Sequence, residues 1–578
     1  MQKFSLRNLL ILFAITSLII FTVSSCGKKE ADDKAKMEEI KKMEQKYDNF
    51  VKPIEETLKG LYHNSALAGW NAAVSGTKED FKISADCDMA MNAFFANKPV
   101  FDSLKKFKES NLIKDTLKSR QLILLYNSFL SNQIDTAKLN AMTQLQNEIT
   151  QKFQNFRAKV GGKELTDNDI EKNLATLTDS KKLKETWEAH KNIGPLVSED
   201  LVKLVKMRNG AAKELGFKNY HEMSLKLSEQ DPEEILKLFD ELDALTKDSF
   251  KSLIAEMNTV LAKKCNIKPE ELMPWHYQNR FFQEAPSIYD VDLDKYYKDK
   301  DIVALTETYY KSIGLPIEDM VAKSDLFEKS GKNQHAFCTD IDRDTKDVRV
   351  LCNIKDNSKW MNTMLHEYGH AIYTKNHGET LPWTLKTAAH IFTTEAIAML
   401  FGRFASNAQW MQDMLGISNE EGNKIAETCH KYLRLEQLVF SRWSQVMYRF
   451  EKSLYENPDQ DLNKLWWDLV EKYQMIKRPV DRNMPDWATK IHIANSPCYY
   501  HNYHLGELFA SQLYYHIKDK LLKTPEGKDA SFYQKPEVGK YLIDNVFAPG
   551  AKYKWDDMIL KATGEKLTAK YYAKQFVK

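Results

Sequence analysis

Stretches in which apolar residues recur every three or four positions dominate this chain of 578 residues. That spacing places the apolar side chains on one face of an α-helix. Only 21 glycines and 16 prolines interrupt the chain, and we find no repeat of fixed period. The sequence therefore predicts a mainly α fold, in which residues 46–578 form one helical domain. The clearest helical segments are residues 117–159, 199–215, 231–245, 301–313, 420–455 and 462–472.

A further helical segment carries a metal-binding motif. His366 and His370 are four positions apart, so a helix would present both imidazoles to a single ion with Glu367 beside it. Ser358 is the predicted N-cap of this helix, and Asn376 marks its predicted end. This is the geometry of a zinc hydrolase.

A third protein ligand must come from further along the chain. The metzincin continuation is excluded, because a Tyr and an Asn stand where it requires Gly and His. His377 would lie about 10 Å beyond His370 along the helix, too far to share one ion. Glu379 lies in a turn, whereas Glu395 is the one acid in an apolar helical run that would pack against the metal helix. We expect Glu395 to be the ligand, with His390 as second choice.

The N-terminus has the order of a secretory signal. Basic residues precede a 15-residue apolar run at 9–23, and small residues follow. The run is short for a transmembrane helix, which needs about 20 residues. The sequence Val-Ser-Ser-Cys ending at Cys26 resembles the lipobox of bacterial lipoproteins. It implies that residues 1–25 are a signal peptide and that Cys26 is lipidated; a plain signal peptide or an uncleaved anchor is the alternative.

The charged residues 26–45 are then a predicted tether. We expect a protein anchored to a membrane of the bacterial cell envelope through Cys26, facing either the periplasm or the outside. The formal net charge of +2 gives no reason to expect a nucleic-acid partner, and we expect a monomer. The other six cysteines are too widely spaced for a disulfide framework.

One segment departs from the helical pattern. Residues 346–354 alternate between apolar and polar side chains, which predicts a strand, and residues 335–339 are its predicted antiparallel partner. This hairpin leads into the metal helix, where a strand can bind an extended peptide by main-chain hydrogen bonds. The alternative is a purely structural hairpin, closed by a disulfide between Cys338 and Cys352.

A second group of chemically active side chains lies far downstream, at residues 490–503. It contains Lys490, His492, Tyr500 and Tyr503. Peptide hydrolysis creates a tetrahedral oxyanion, which His and Tyr side chains can stabilise as hydrogen-bond donors. The alternative is a polar surface loop that enters a helix.

Together these motifs resemble the angiotensin-converting-enzyme family of peptidyl dipeptidases. The hairpin and the spacing of the tyrosines are equally similar to oligoendopeptidase F and its thimet-type relatives. Both groups are gluzincins, so the resemblance implies a large two-lobed helical ellipsoid with a deep central cleft and a short β hairpin beside the zinc helix. The motifs that carry it are Phe392-x-x-Glu395, Trp466-Trp467, Asp486-Trp487-Ala488-Thr489-Lys490-Ile491-His492 and Pro497-x-Tyr499-Tyr500-x-x-Tyr503.

The resemblance implies a role for each matching residue. His366, His370 and Glu395 would bind one Zn²⁺ per chain. Glu367 would accept a proton from the attacking water and pass it to the leaving amine. The remaining implied roles are oxyanion stabilisation by Tyr503 assisted by His492, substrate main-chain contacts by His335 and Ala336, and binding of the substrate's C-terminal carboxylate by Lys490, Tyr500 and Gln278.

The implied activity is release of C-terminal dipeptides from short peptide substrates. Endo-acting oligopeptidase activity is one alternative, and a non-catalytic peptide-binding lipoprotein is another. Where the family places chloride-binding arginines, this chain has Asn502 and Val470. We therefore expect that activity does not depend strongly on chloride.

Overall fold

The computed structural model describes the backbone of residues 6–290 and 292–577, and the side chains of these residues from 32 onward. This part of the chain is mainly helical, as the apolar periodicity predicts. Its helices up to the metal motif are α1 (Leu6–Ser75), α2 (Lys78–Phe95), α3 (Lys98–Ser110), α4 (Thr116–Ser131), α5 (Thr136–Asn155), α6 (Asp167–Thr176), α7 (Ser180–Lys191), α8 (Ile193–Glu214), α9 (Tyr220–Leu227), α10 (Pro232–Cys265), α11 (Asp294–Tyr297), α12 (Ile302–Ser312) and α13 (Glu318–Val321).

The second half contains the metal helix and the helices that surround it. They are α14 (Ser358–Lys375), α15 (Ile391–Gly402), α16 (Ala408–Leu415), α17 (Asn419–Glu456), α18 (Leu462–Leu469), α19 (His492–Asn495), α20 (His501–His516), α21 (Pro536–Leu542), α22 (Trp555–Thr563) and α23 (Lys570–Phe576). The strands form two antiparallel hairpins, and they are β1 (Ala158–Val160), β2 (Lys163–Leu165), β3 (Phe337–Asp342) and β4 (Asp347–Leu351).

The predicted segment 117–159 is divided into α4 and α5. Asp135 interrupts it, because its carboxylate accepts a hydrogen bond from the backbone N–H of Lys138 and so caps a new helix. The start of α14 also differs from expectation by one residue. Asn357, not Ser358, is the N-cap, since its side chain accepts from the N–H of Trp360. The hydroxyl of Ser358 is instead engaged by Asp294, at 2.6 Å.

The N-terminal predictions fall largely on residues without described side chains. The signal peptide at 1–25 and the lipidation site at Cys26 lie outside the residues whose side chains the structure describes. Along the described side chains, Tyr47 is the first that is fully buried. The proposed tether and the domain boundaries therefore stay predictions. No helix in the searched part of the chain is long and apolar enough to cross a membrane.

The predicted hairpin beside α14 is confirmed. Strands β3 and β4 are antiparallel, and Cys338 faces Val350 across the ladder, with an irregularity between Asp340 and Asp342. Cys338 and Cys352 are both free thiols, so the alternative of a disulfide-closed hairpin is wrong for this structure.

Two close helix contacts bring the metal motif against its neighbours. Helix α15 packs on α14 on one side and on α20 on the other. A Cβ added to Gly369 would lie 2.7 Å from the Cα of Ala398, and one added to Gly506 would lie 3.1 Å from the Cβ of Glu395. These glycines allow the backbones of α14, α15 and α20 to approach closely, which places Glu395 between the other two helices.

Candidate active site

His366, His370 and Glu395 converge on one point. Their ligand atoms all lie within 4.8 Å of one another. The Nε2 atoms of His366 and His370 are each 3.8 Å from the same carboxylate oxygen of Glu395. Atoms that bind one tetrahedral ion at about 2 Å are themselves separated by about 3–4 Å. The three side chains therefore fit a single zinc ion.

The charge balance at this point also fits a cation. Burial lowers the pKa of His366 to about 4, so its imidazole is neutral and can offer a lone pair. Burial, and then the nearby Glu507 carboxylate, raise the pKa of Glu395 to about 7. A carboxylate that is costly to ionise when buried alone is favourable beside a dication.

Two of the other candidates for the third ligand are engaged elsewhere. Glu379 is exposed and forms an ion pair with Lys346. The Nδ1 of His390 accepts from the N–H of Phe392 and caps α15. His377 lies beyond the end of α14. Of the residues searched, the trio centred on Glu395 is the only one that could hold a metal ion.

Thr394 orients one of the imidazoles. Its Oγ1 lies 2.8 Å from the Nδ1 of His370. When this Nδ1 carries the proton and donates to the hydroxyl, Nε2 is left as the free lone pair that faces Glu395. No motif in the sequence identifies this contact, although Thr394 directly precedes Glu395.

Glu367 is buried next to the metal trio. Burial, and then the charge of Glu395, raise its pKa to about 8, whereas the backbone N–H of Cys338 opposes the shift. A dication bound at the trio would lower this pKa again, since it favours the carboxylate form. Glu367 is thus placed and tuned to exchange a proton near neutral pH.

A cleft of about 770 Å³ opens beside these residues. Tyr503 from α20 lines it, and so does Ala336 at the start of β3. His335 is solvent-exposed, and its backbone N–H donates to Asn333. The structure therefore brings Ala336 and Tyr503 to the metal, and leaves His335 outside the cleft lining.

A row of aromatic rings leads away from Tyr503. Its ring centroid is 5.4 Å from that of Tyr500, which in turn is 5.3 Å from that of His492. The hydroxyl of Tyr500 accepts a hydrogen bond from the Nε1 of Trp443, at 2.8 Å. His492 lies two rings from Tyr503, so its predicted assistance to Tyr503 stays a prediction.

Lys490 lies at the end of this row. Its ammonium group is 5.0 Å from the ring centroid of Phe281 and 5.4 Å from that of Tyr500. Its hydrogen-bond partner among the described residues is Gln283. Lys490, Gln283 and His492 line a second cavity, of about 570 Å³.

Gln278 does not have the position expected for it. Its Oε1 accepts from the backbone N–H of Ser287, at 2.8 Å, and the glutamine beside Lys490 is Gln283. Both glutamines lie in the irregular segment before α11, and no local sequence pattern distinguishes them. The difference comes from the loop conformation, in which Gln278 itself has a positive φ of 61°.

Asn502 and Val470, which occupy the two positions where chloride-binding arginines were considered, are both buried. The Oδ1 of Asn502 accepts from Gln230, at 2.8 Å. Val470 packs in the main hydrophobic core. Neither side chain offers a positive charge to an anion.

Comparison with known proteins decides the family. A sequence model described as angiotensin-converting enzyme matches residues 41–277 and 281–576 of this chain. The chain belongs to the angiotensin-converting enzyme family. It is 22% identical to the angiotensin-converting enzyme of Mus musculus over 567 residues, which is 90% of this chain and 42% of that protein. It is also 26% identical to carboxypeptidase 1 of Bacillus subtilis over 263 residues, or 41% of this chain and 50% of that protein.

The angiotensin-converting enzyme family is a family of metallopeptidases. The side chains of His366, His370 and Glu395 fit the metal site that such a peptidase requires. The chain spans about half the length, or less, of the relatives described above.

Proposed function

We propose that this protein is a zinc-dependent peptidyl-dipeptidase that releases dipeptides from the C-terminus of short peptides. Membership of the angiotensin-converting enzyme family supports a metallopeptidase. The convergence of His366, His370 and Glu395 supports zinc as its metal.

The observation that carries the exo-acting proposal is the environment of Lys490. The residue is only 7% exposed, and its hydrogen-bond partner among the described residues is the neutral Gln283. A buried ammonium without a carboxylate is costly for the folded protein. A substrate's C-terminal carboxylate would provide the missing partner, close to Tyr500 and two rings from the metal cleft.

The protein's own side chains account for the proton transfers. Zinc, when bound, supplies Lewis-acid polarisation of the scissile carbonyl. Glu367 accepts a proton from the attacking water and then donates it to the leaving amine. The Tyr503 hydroxyl donates a hydrogen bond to the oxygen that becomes negative in the transition state. Lys490 fixes the substrate's end, and so sets which peptide bond lies beside Glu367.

The test compares one peptide in two forms, with a free and with an amidated C-terminus. We expect the free form to lose a dipeptide and the amidated form to be cleaved at least tenfold more slowly, because amidation removes the charge that Lys490 binds. Mass spectrometry of the products identifies the bond. Equal cleavage of both forms would contradict the exo-acting proposal.

A variant tests the role of Glu367 separately. Glu367→Gln preserves the shape of the side chain and leaves the three metal ligands unchanged. We expect it to retain zinc, measured by elemental analysis, and to lose hydrolysis by a factor of about 10² or more. Turnover equal to that of the unaltered protein would refute the assignment of the base.

One observation favours an endo-acting oligopeptidase as a second candidate. The cavity that Lys490 lines does not end there, but continues to Arg157 and Asp167 near the β1–β2 hairpin. A chain that extends past Lys490 has space in this cavity. Cleavage of the amidated peptide, with products longer than a dipeptide, would favour this candidate.

We also propose that Cys26 carries a lipid anchor in the bacterial cell envelope, on the sequence evidence alone. Cys26→Ser should move the protein from the membrane fraction to the soluble fraction of cells that process lipoproteins. Retention of this variant in the membrane would refute the anchor.

A further inference from the structure

Two polar groups in the metal cleft have no use in the proposed reaction. The Oδ1 of Asp340 and the Nε2 of His377 are buried and have no hydrogen-bond partner among the residues that the structure describes. Both residues line the same cleft as His366 and Glu367. An unpaired buried polar atom is costly unless a water molecule, an ion or a ligand supplies a partner.

Asp340 is held in place by Arg343. The Nε of Arg343 is 3.3 Å from Oδ2 of Asp340, and its guanidinium lies 4.4 Å from the ring centroids of both Tyr62 and Trp383. The guanidinium lies against both rings and engages one carboxylate oxygen of Asp340, whereas the other oxygen has no hydrogen-bond partner among the described residues. The side chain of Asp340 is only 12% exposed, so that free oxygen is a preorganised acceptor.

The charges around the pair leave Asp340 ionised and His377 neutral. Burial raises the pKa of Asp340 to about 6 while Arg343 opposes the shift, so the group is a carboxylate at neutral pH. Burial, and then Arg343 and Lys386, lower the pKa of His377 to about 3. Lys386 is itself paired with Asp344, at 2.7 Å. The local acceptors are thus one carboxylate and one uncharged imidazole.

The position of the pair fixes which part of a substrate it would meet. His377 lies seven residues beyond His370, or about 10 Å along the direction of α14. Asp340 lies two residues, or about 7 Å, beyond Cys338 on β3. At about 3.3 Å per residue of extended peptide, these distances correspond to about three residues beyond His370 and two beyond Cys338, whose backbone N–H contacts Glu367.

The direction along the substrate follows from Lys490. The ammonium of Lys490 lies 5.4 Å from the ring centroid of Tyr500, whose neighbour Tyr503 lines the metal cleft, and Lys490 lines the separate cavity of about 570 Å³. Asp340 and His377 line the metal cleft itself. If the C-terminal part of the substrate points to Lys490, the N-terminal part occupies the cleft beside β3.

We propose that Asp340 and His377 form a subsite for an ammonium group located two or three residues on the N-terminal side of the scissile bond. This inference rests on the proposed function and names its substrate class. The ammonium is supplied either by the free N-terminus of a short peptide or by a lysine side chain. A peptide that engages both this subsite and Lys490 through its two termini has about four or five residues.

The experiment uses four peptides with one common C-terminal sequence and free C-termini. The first is a pentapeptide with a free N-terminus, and the second is its N-acetylated form. The third and fourth are acetylated, longer peptides with lysine or norleucine at the third position before the scissile bond. We expect kcat/KM of the unaltered protein to be about ten- to a hundredfold higher for an ammonium-bearing peptide than for its neutral partner.

Asp340→Asn should abolish this preference, because it removes the negative charge and keeps the shape. Hydrolysis of the acetylated and norleucine peptides should stay within about twofold of the unaltered protein. Asp342→Asn on the same strand is the matched control, since Asp342 lies outside the cleft lining. Its Oδ1 accepts a hydrogen bond from the backbone N–H of Asp344 in the following turn. The control variant should preserve the preference. His377→Phe, which keeps a ring of similar size, should reduce the preference without abolishing it.

The results separate the two sources of the ammonium. A preference confined to the first pair identifies the N-terminus, and one confined to the second pair identifies the lysine side chain. No preference in either pair overturns the subsite, and so does an equal loss for all four peptides in Asp340→Asn, which indicates a structural role.

Failure of the proposed function has a different signature. If the unaltered protein cleaves none of the peptides, the same four are titrated into the zinc-loaded Glu367→Gln protein. A Kd that differs by tenfold or more between the members of a pair supports the subsite without any hydrolysis. Equal Kd values overturn it.

Discussion

Replacement of Lys490 by methionine tests whether Lys490 binds the C-terminal carboxylate of the substrate. Methionine keeps an unbranched apolar stem against Phe281 and Tyr500, and it removes only the charge. Loss of one partner of a buried charge pair costs about 2–4 kcal/mol. At about 1.4 kcal/mol per tenfold, kcat/KM for a peptide with a free C-terminus should fall by about 30- to 700-fold.

The amidated form of the same peptide provides the reference. It carries no carboxylate, so Lys490→Met should change its cleavage by no more than about threefold. An equal fall for both forms would mean that Lys490 supports the fold and not the substrate. Binding of the substrate's C-terminal carboxylate by Lys490 would then be refuted.

The folded protein itself should become more stable in Lys490→Met. Burial, and then Arg280, lower the pKa of Lys490 to about 7 from the ordinary value of 10.5. Between these two values the unfolded chain binds more protons than the folded one, so the unfavourable contribution of Lys490 grows as pH falls from about 10.5 to about 7. Chemical denaturation should show the variant more stable by about 1–3 kcal/mol at pH 7 and below, and equal near pH 10.5. A less stable variant at pH 7 would contradict the assignment of an unpaired cation.

The lowered pKa of Lys490 also predicts how kcat/KM depends on pH. Carboxylate binding requires the ammonium form, so kcat/KM for free C-termini should fall as pH rises above about 7. Lys490→Arg should remove this alkaline limb, because a guanidinium stays charged throughout the range. Persistence of the limb in the arginine variant would assign it to another group.

The remaining predictions concern the metal, the helix packing and the anion dependence. Thr394→Val removes the acceptor for His370 and should weaken zinc affinity by about 10- to 100-fold, measured by competition with a chelator; unchanged affinity would refute its orienting role. Gly369→Ala places a Cβ 2.7 Å from the Cα of Ala398 and should lower stability by about 1–3 kcal/mol in denaturant titrations. Since Asn502 offers no cation, activity should change by less than about twofold between chloride and acetate buffers of equal ionic strength, and steep activation by chloride would contradict this.

Predictions based on short-range pattern agree well with the structure. The helical class, helix α14 with its two histidines, and the β3–β4 hairpin all follow from periodicity within about ten residues. Errors at this level are small and local. The N-cap of α14 is Asn357 and not the predicted Ser358, because the hydroxyl of Ser358 donates a hydrogen bond to Asp294, 64 residues away along the chain.

Choices between distant residues depend on packing. The sequence left several candidates for the third metal ligand, and Glu395 is brought to the histidines because Gly369 and Gly506 let three helices approach closely. Gln278 accepts a hydrogen bond from Ser287, whereas Gln283 contacts Lys490. The sequence could not predict this difference, because the irregular loop before α11 has no periodicity that indicates its conformation.

The sequence by itself determined a helical metallopeptidase-like chain, because helices and motifs depend on interactions between near neighbours. Only the tertiary structure decided how closely the predicted ligand Glu395 approaches the two histidines, which glutamine contacts Lys490, and that Asp340 and His377 share one cleft. These depend on how close separate helices and strands can pack, which is a property of side-chain volume and backbone approach across the whole core.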